Sequence, residues 1–118
     1  MSSRKLSKKK KQEAFIAFQQ EFKRWQHELQ CDGYTVHFKL KKLDEQYASI
    51  EVDEHDKAAW VDVSEKDIGR MEIDDVAKHE ACHLFLNRLI HLARARYVRD
   101  EEIHQEWERL ASTLEKVL

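Results

Sequence analysis

The chain contains no proline and only two glycines, Gly33 and Gly69. Few turns are therefore forced on the backbone, and helices are free to run long. No apolar run approaches the roughly 20 residues that a bilayer-spanning helix needs, so no membrane segment is expected. Basic residues open the sequence without an apolar stretch after them, which does not read as a secretory signal. Cysteine is scarce as well. Cys31 and Cys82 lack the spacing of a disulfide framework and fit a reducing, cytoplasmic setting.

The 118 residues that remain to be explained suit one domain with a modest core. With 42% hydrophobic and 37% charged residues, the expectation is a soluble, heavily charged globular protein. Lysine and arginine number 21 against 23 acidic residues, a formal charge of -2. That balance argues against wholesale nucleic-acid binding, but it hides an asymmetry. Arg4, Lys5, Lys8, Lys9, Lys10 and Lys11 crowd the start. Residues 1–11 are expected to form a disordered basic tail, either simply solubilising or touching nucleic acid or an acidic partner. Residues 12–118 are expected to form a single domain.

Within it, Ala14, Phe15, Phe18, Phe22, Trp25 and Leu29 recur at steps of three and four, which predicts an amphipathic helix from about Gln12 to Gln30. Asp32-Gly33 reads as its stop, with the glycine in a left-handed conformation. Tyr34 to Leu40 alternates apolar and polar residues, and Tyr47–Val52 and Ala58–Val63 carry shorter strand signals. Polar links at Asp44-Glu45 and from Asp53 to Lys57 suggest a three-stranded antiparallel meander. Helical spacing returns from about Glu72 and runs to somewhere between Asn87 and Arg94. Asp100 is a candidate N-cap for a last helix with Ile103, Trp107, Leu110, Ala111, Leu114 and Val117 on one side. The expected class is α+β, in the order helix, three strands, helix, helix.

One run carries chemistry: His79-Glu80-Ala81-Cys82-His83. Four residues advance a helix by about 400° and 6 Å, so both imidazoles leave one face and two nitrogens can reach one ion at about 2.0–2.1 Å. Glu80 is rotated about 100° from His79. It is poorly placed as a ligand beside them, yet can reach a water held on the metal, the division of labour of an HExxH signature. A catalytic zinc site needs a third protein ligand. The candidates are carboxylates of the last helix. Glu106 flanks its apolar face, Glu102 shares that flank one turn earlier, and Glu108 points largely away, so Glu106 is preferred and Glu102 is second. His91 lies about 12 Å beyond His83 if the helix continues, too far to share the ion. Cys82 reads as a small packing residue, while His27, His37, His55 and His104 have no partner spacing.

The order of elements and the run His79-Glu80-x-x-His83 resemble the minimal zincin metallopeptidases. The likeness is to small metallopeptidases encoded by phages and bacteria and, more distantly, to the repressor-cleaving proteases of mobile elements and the SprT-like proteases. It extends over residues 12–118, though only the motif matches sharply. Glu106-Trp107-x-x-Leu110-Ala111-x-x-Leu114 looks like the helix that carries the glutamate ligand in the repressor-cleaving group. By that resemblance His79, His83 and Glu106 hold Zn2+, Glu80 is the catalytic base, and a protein or peptide is the substrate. Such families lay an extended peptide along the sheet edge nearest the site helix, a role expected here for Ala58 to Val63. The sequence departs from the longer motifs in having no third histidine, no methionine turn and no pocket insertion. Tyr97 is a candidate oxyanion stabiliser. The competing expectation is a metal-binding phage or bacterial accessory module with little or no hydrolytic activity, acting by binding a host protein or nucleic acid.

Overall fold

The computed structural model describes residues 7–95 and 97–117. Three helices and three strands follow one another as α1 (Lys8–Glu28), β1 (Thr35–Lys41), β2 (Ala48–Asp53), β3 (Ala58–Ser64), α2 (Ile73–Arg94) and α3 (Asp100–Val117). The α+β class and the element order are as expected. No helix of the described residues is long and apolar enough to cross a membrane.

Helix α1 begins earlier than its apolar pattern suggests. Ser7 caps it, with its Oγ accepting from Lys10 N at 3.2 Å, so Lys8–Lys11 are the first turn of a helix and not part of a tail. Residues 1–6 of the expected tail lie outside the described residues. The far end also differs. Gln30, not Gly33, takes the left-handed conformation, at φ 60°. Gln30 N donates to His27 O and Cys31 N to Gln26 O, a Schellman closure of the last carbonyls. The buried Gln26 side chain then donates to Cys31 O at 2.8 Å and to Tyr34 O at 3.0 Å, fastening the turn into β1.

The sheet is mixed, not an antiparallel meander. Its order is β1-β3-β2, with β3 parallel to β1 and antiparallel to β2. Alternation reports which face of a strand is buried and is silent on which strand lies beside it. The central place goes to the strand with the driest inner face, where Ala59, Val61 and Val63 are all fully buried. A turn with Lys57 at φ 52° and Asp56 N donating to Asp53 Oδ1 joins β2 to β3.

The core lies between this inner face and the helices. Phe15, Phe18 and Phe22 of α1 are buried with Ala77, Ala81, Leu84 and Phe85 of α2. Phe38 of β1 meets Phe18 and Phe22 edge-on. Both cysteines are free, and burial pushes the Cys31 thiol up to about 11, which keeps it protonated and unreactive at neutral pH. Helix α2 runs on the side of β2, leaving that strand's other edge free beside it.

Candidate metal centre

Helix α2 is continuous over 22 residues and buries Ala77, Ala81, Leu84 and Phe85 toward α1 and the sheet. At about 100° per residue this leaves His79 and His83 on the solvent side and Glu80 between solvent and core. The two Nε2 atoms stand 3.1 Å apart, with ring centroids at 4.7 Å and planes at 84°. A tetrahedral ion with bonds of about 2.0–2.1 Å separates two nitrogen ligands by roughly 3.3 Å. The pair is therefore within a few tenths of an ångström of a shared-ion geometry.

Glu80 is 6% exposed. Burial raises its carboxyl above the usual range, and the neighbouring His83 and His79 pull the other way. The rise from burial wins because the side chain has lost most of its water and no described residue donates a hydrogen bond to it in exchange. The imidazoles and Glu80 share a cavity of about 540 Å³ with Asp75 and Val76 of α2. Residues 46–50, leading into and along β2, form its opposite wall. The strand edge at the site is thus β2. The expected edge, Ala58 to Val63, is the central strand and has no free side.

Glu106 is not brought to this cavity. It is 3% exposed, and its carboxylate accepts from Arg109 Nε at 2.8 Å and from Arg109 Nη2 at 2.6 Å. Arg88 Nε lies 3.7 Å from it on α2. The same Arg109 donates to Phe85 O at 3.1 Å. Phe85 and Arg88 are about 200° and 140° around the helix from His83, so α3 docks on the flank of α2 roughly opposite the imidazoles. Glu102 takes its hydrogen bonds from Arg99, and Glu108 is exposed. Among the described residues no group of three or more His, Cys, Asp or Glu could hold a metal ion. Zinc chemistry thus fits the imidazole pair, while the described residues supply no third protein ligand.

The other candidates are dispersed. His91 sits two turns past His83 on the unbroken helix and lines a separate hollow with His55 and Trp60. His27 bonds Asp32, His37 stacks on Trp60, and His104 lies against Trp107. Tyr97 is 86% exposed in the link between α2 and α3 and does not line the cavity.

Sequence reading missed one functional neighbour. Glu54, in the β2–β3 turn, accepts from the Tyr34 hydroxyl, from Lys57 Nζ and, at 3.0 Å, from Asn87 Nδ2 of α2. It fastens α2 one turn past His83 to the end of β2, at the other end of that strand from residues 46–50, which wall the cavity. Burial pushes the Glu54 carboxyl up, but the bonds from Lys57, Tyr34 and Asn87 outweigh it and hold the carboxyl below the usual range. No periodic signal marks such a residue. The Glu106–Arg109 spacing of three was the one local hint that Glu106 had a cationic partner.

No family model, no curated protein and no solved structure matches the chain.

Proposed function

We propose that the chain is a metal-dependent peptidase acting on an extended protein or peptide segment, with His79 and His83 as metal ligands and Glu80 as general base. The observation that carries this reading is the convergence of the two Nε2 atoms to 3.1 Å beside the nearly buried Glu80 carboxyl. A zinc ion held there would supply a Lewis acid and a water acidified from a pKa of 15.7 toward about 7. Glu80 opens into the same cavity. Its carboxylate would take a proton from the attacking water and return it to the leaving amine. A carboxyl raised by burial suits that exchange, because it holds the proton more readily than an ordinary glutamate does. The free edge of β2 would pair with the backbone of the bound segment and lay its scissile bond across the imidazoles.

One observation favours the accessory-module reading. Glu106 is engaged by Arg109 and Arg88, which leaves the imidazole pair without a third protein ligand among the described residues.

Metal analysis with three variants separates these readings. The peptidase predicts about one zinc per chain, lost in His79→Ala. Glu80→Gln retains the metal and lowers cleavage of an unfolded protein substrate by at least about 100-fold. Cleavage that persists in Glu80→Gln would remove the enzyme reading. Zinc bound by the wild type and by Glu80→Gln, with no cleavage by either, would favour the accessory module. In Glu106→Gln, zinc affinity within about threefold of wild type confirms that α3 is a structural neighbour, whereas a loss of about 100-fold would make Glu106 a ligand.

A further inference from the structure

Six of the ten exposed large hydrophobic side chains among the described residues belong to two helices: Leu86, Leu89 and Ile90 of α2, and Ile103, Trp107 and Leu114 of α3. The contacts Arg109–Phe85 and Glu106–Arg88 pair rising with falling residue numbers, so the two helices are antiparallel. On each helix the apolar stripe is turned from the contact line by roughly a third of a turn in the same rotational sense. Antiparallel courses bring two such stripes to the same side of the hairpin. The result is one apolar face formed by Leu86, Leu89, Ile103, Trp107 and Leu114, each 38–62% exposed, which Ile90, seven residues past His83, extends round to the imidazole side of α2.

The charges at its margins differ between the halves. From Ala81 to Arg94, α2 has no acidic residue; Arg88 is taken up by Glu106 and Glu54 on the other flank, which leaves Arg94 as the basic residue at this margin. Helix α3 is acidic, with Asp100, Glu101, Glu102, Glu108 and Glu115 among its residues. A partner that lays an acidic helix on α2 and a basic helix on α3 satisfies both margins, and a second copy related by a twofold axis supplies both. Area agrees. The exposed apolar surface of the six side chains is on the order of 500 Å². A standard interface buries about 800 Å² per partner, of which roughly 60% is apolar.

We infer that the α2–α3 face is the contact surface of a homodimer, with α2 of each copy packed on α3 of the other and Trp107 near its centre. The dimer contacts use none of His79, Glu80 and His83. Leu86 and Ile90 lie seven residues beyond His79 and His83 on the same side of α2, so the dimer would border the cavity. Oligomeric state is read without metal, which keeps this test distinct from that of the metal site.

Sedimentation velocity on the full chain tests it. The wild type should sediment as a dimer at about 100 μM, and Trp107→Lys should raise the dimer dissociation constant by about 100-fold. Because Trp107 is 62% exposed, far-UV circular dichroism should be unchanged. Two charge variants sharpen the test: Arg94→Glu, which makes the α2 margin acidic, and Glu108→Lys/Glu115→Lys, which makes α3 basic. Each alone should self-associate at least tenfold more weakly than wild type, and an equimolar mixture should form the heterodimer more tightly than either variant forms its own dimer. A wild type that is monomeric at 100 μM would overturn the inference. So would an unchanged constant in Trp107→Lys, or a mixture no tighter than its components.

Discussion

Helices α1 and α3 carry similar apolar spacings and meet opposite fates. Helix α1 turns Phe15, Phe18 and Phe22 into the core. Helix α3 buries Glu106, Leu110 and Thr113, and leaves Ile103, Trp107 and Leu114 in solvent. One is held to α2 by hydrocarbon, the other by Leu110 together with the Glu106–Arg88 ion pair and a guanidinium on a helix carbonyl. An amphipathic stripe states that a helix needs a covering surface. Whether the same chain supplies that surface is decided by what else the neighbouring helix offers, and α2 offers α3 Arg88 and the Phe85 carbonyl.

The largest expected contrast is between truncations on the two helices. Phe22→Ala should cost about 3–5 kcal/mol, the loss of a fully buried aromatic plus the cavity it leaves. Ile103→Ala should cost less than about 1 kcal/mol in monomeric protein, because that side chain is 45% exposed. Urea denaturation of both variants at low protein concentration would compare them, and equal losses would erase the distinction.

Acid should loosen the fastening of α2 to the end of β2 by Glu54 before it disturbs the apolar contacts of α1. The Glu54 carboxyl is held below its ordinary value by its three donors. The stability it contributes is therefore fully present above the unfolded-state pKa of about 4.3 and is lost as pH falls through the lower, folded value. In hydrogen exchange between about pH 5 and 3, protection around the β2–β3 turn and Asn87 should decline while α1 stays protected. Glu54→Gln should remove that pH dependence at a cost already present at neutral pH.

The smallest effect sharpens the α1 side. Gln30 occupies a left-handed conformation at the helix end. Gln30→Gly should raise stability by about 0.5–1 kcal/mol through relief of that strain. A drop in melting temperature would show that the Gln30 side chain has a role of its own.

Much of the fold was readable from the residues. Steps of three and four located α1, α2 and α3, and alternation located the strands, because these periods are set by the backbone itself. The neighbours of β3 were not readable. Burial alternates identically in parallel and antiparallel arrangements, and strand order depends on a connection of some 16 residues. The histidine pair was legible because helix geometry fixes residues four apart, whereas the setting of Glu106 depends on which flank of α2 receives α3. That choice rests on Arg88 and Arg109, single residues outside any motif. Glu54 acts across 33 positions to reach Asn87, a distance over which no local pattern carries information.

The position of β3 at the centre of the sheet has a consequence during synthesis. It is the last strand to be made, yet it supplies the hydrogen-bond partners of both others. Until residues 58–64 leave the ribosome, β1 and β2 have nothing to pair with, and the aromatic side of α1 has no floor. The sheet must then assemble in one step around its latest member, so a nascent chain halted before Ala58 would be a helix trailing two unpaired ribbons.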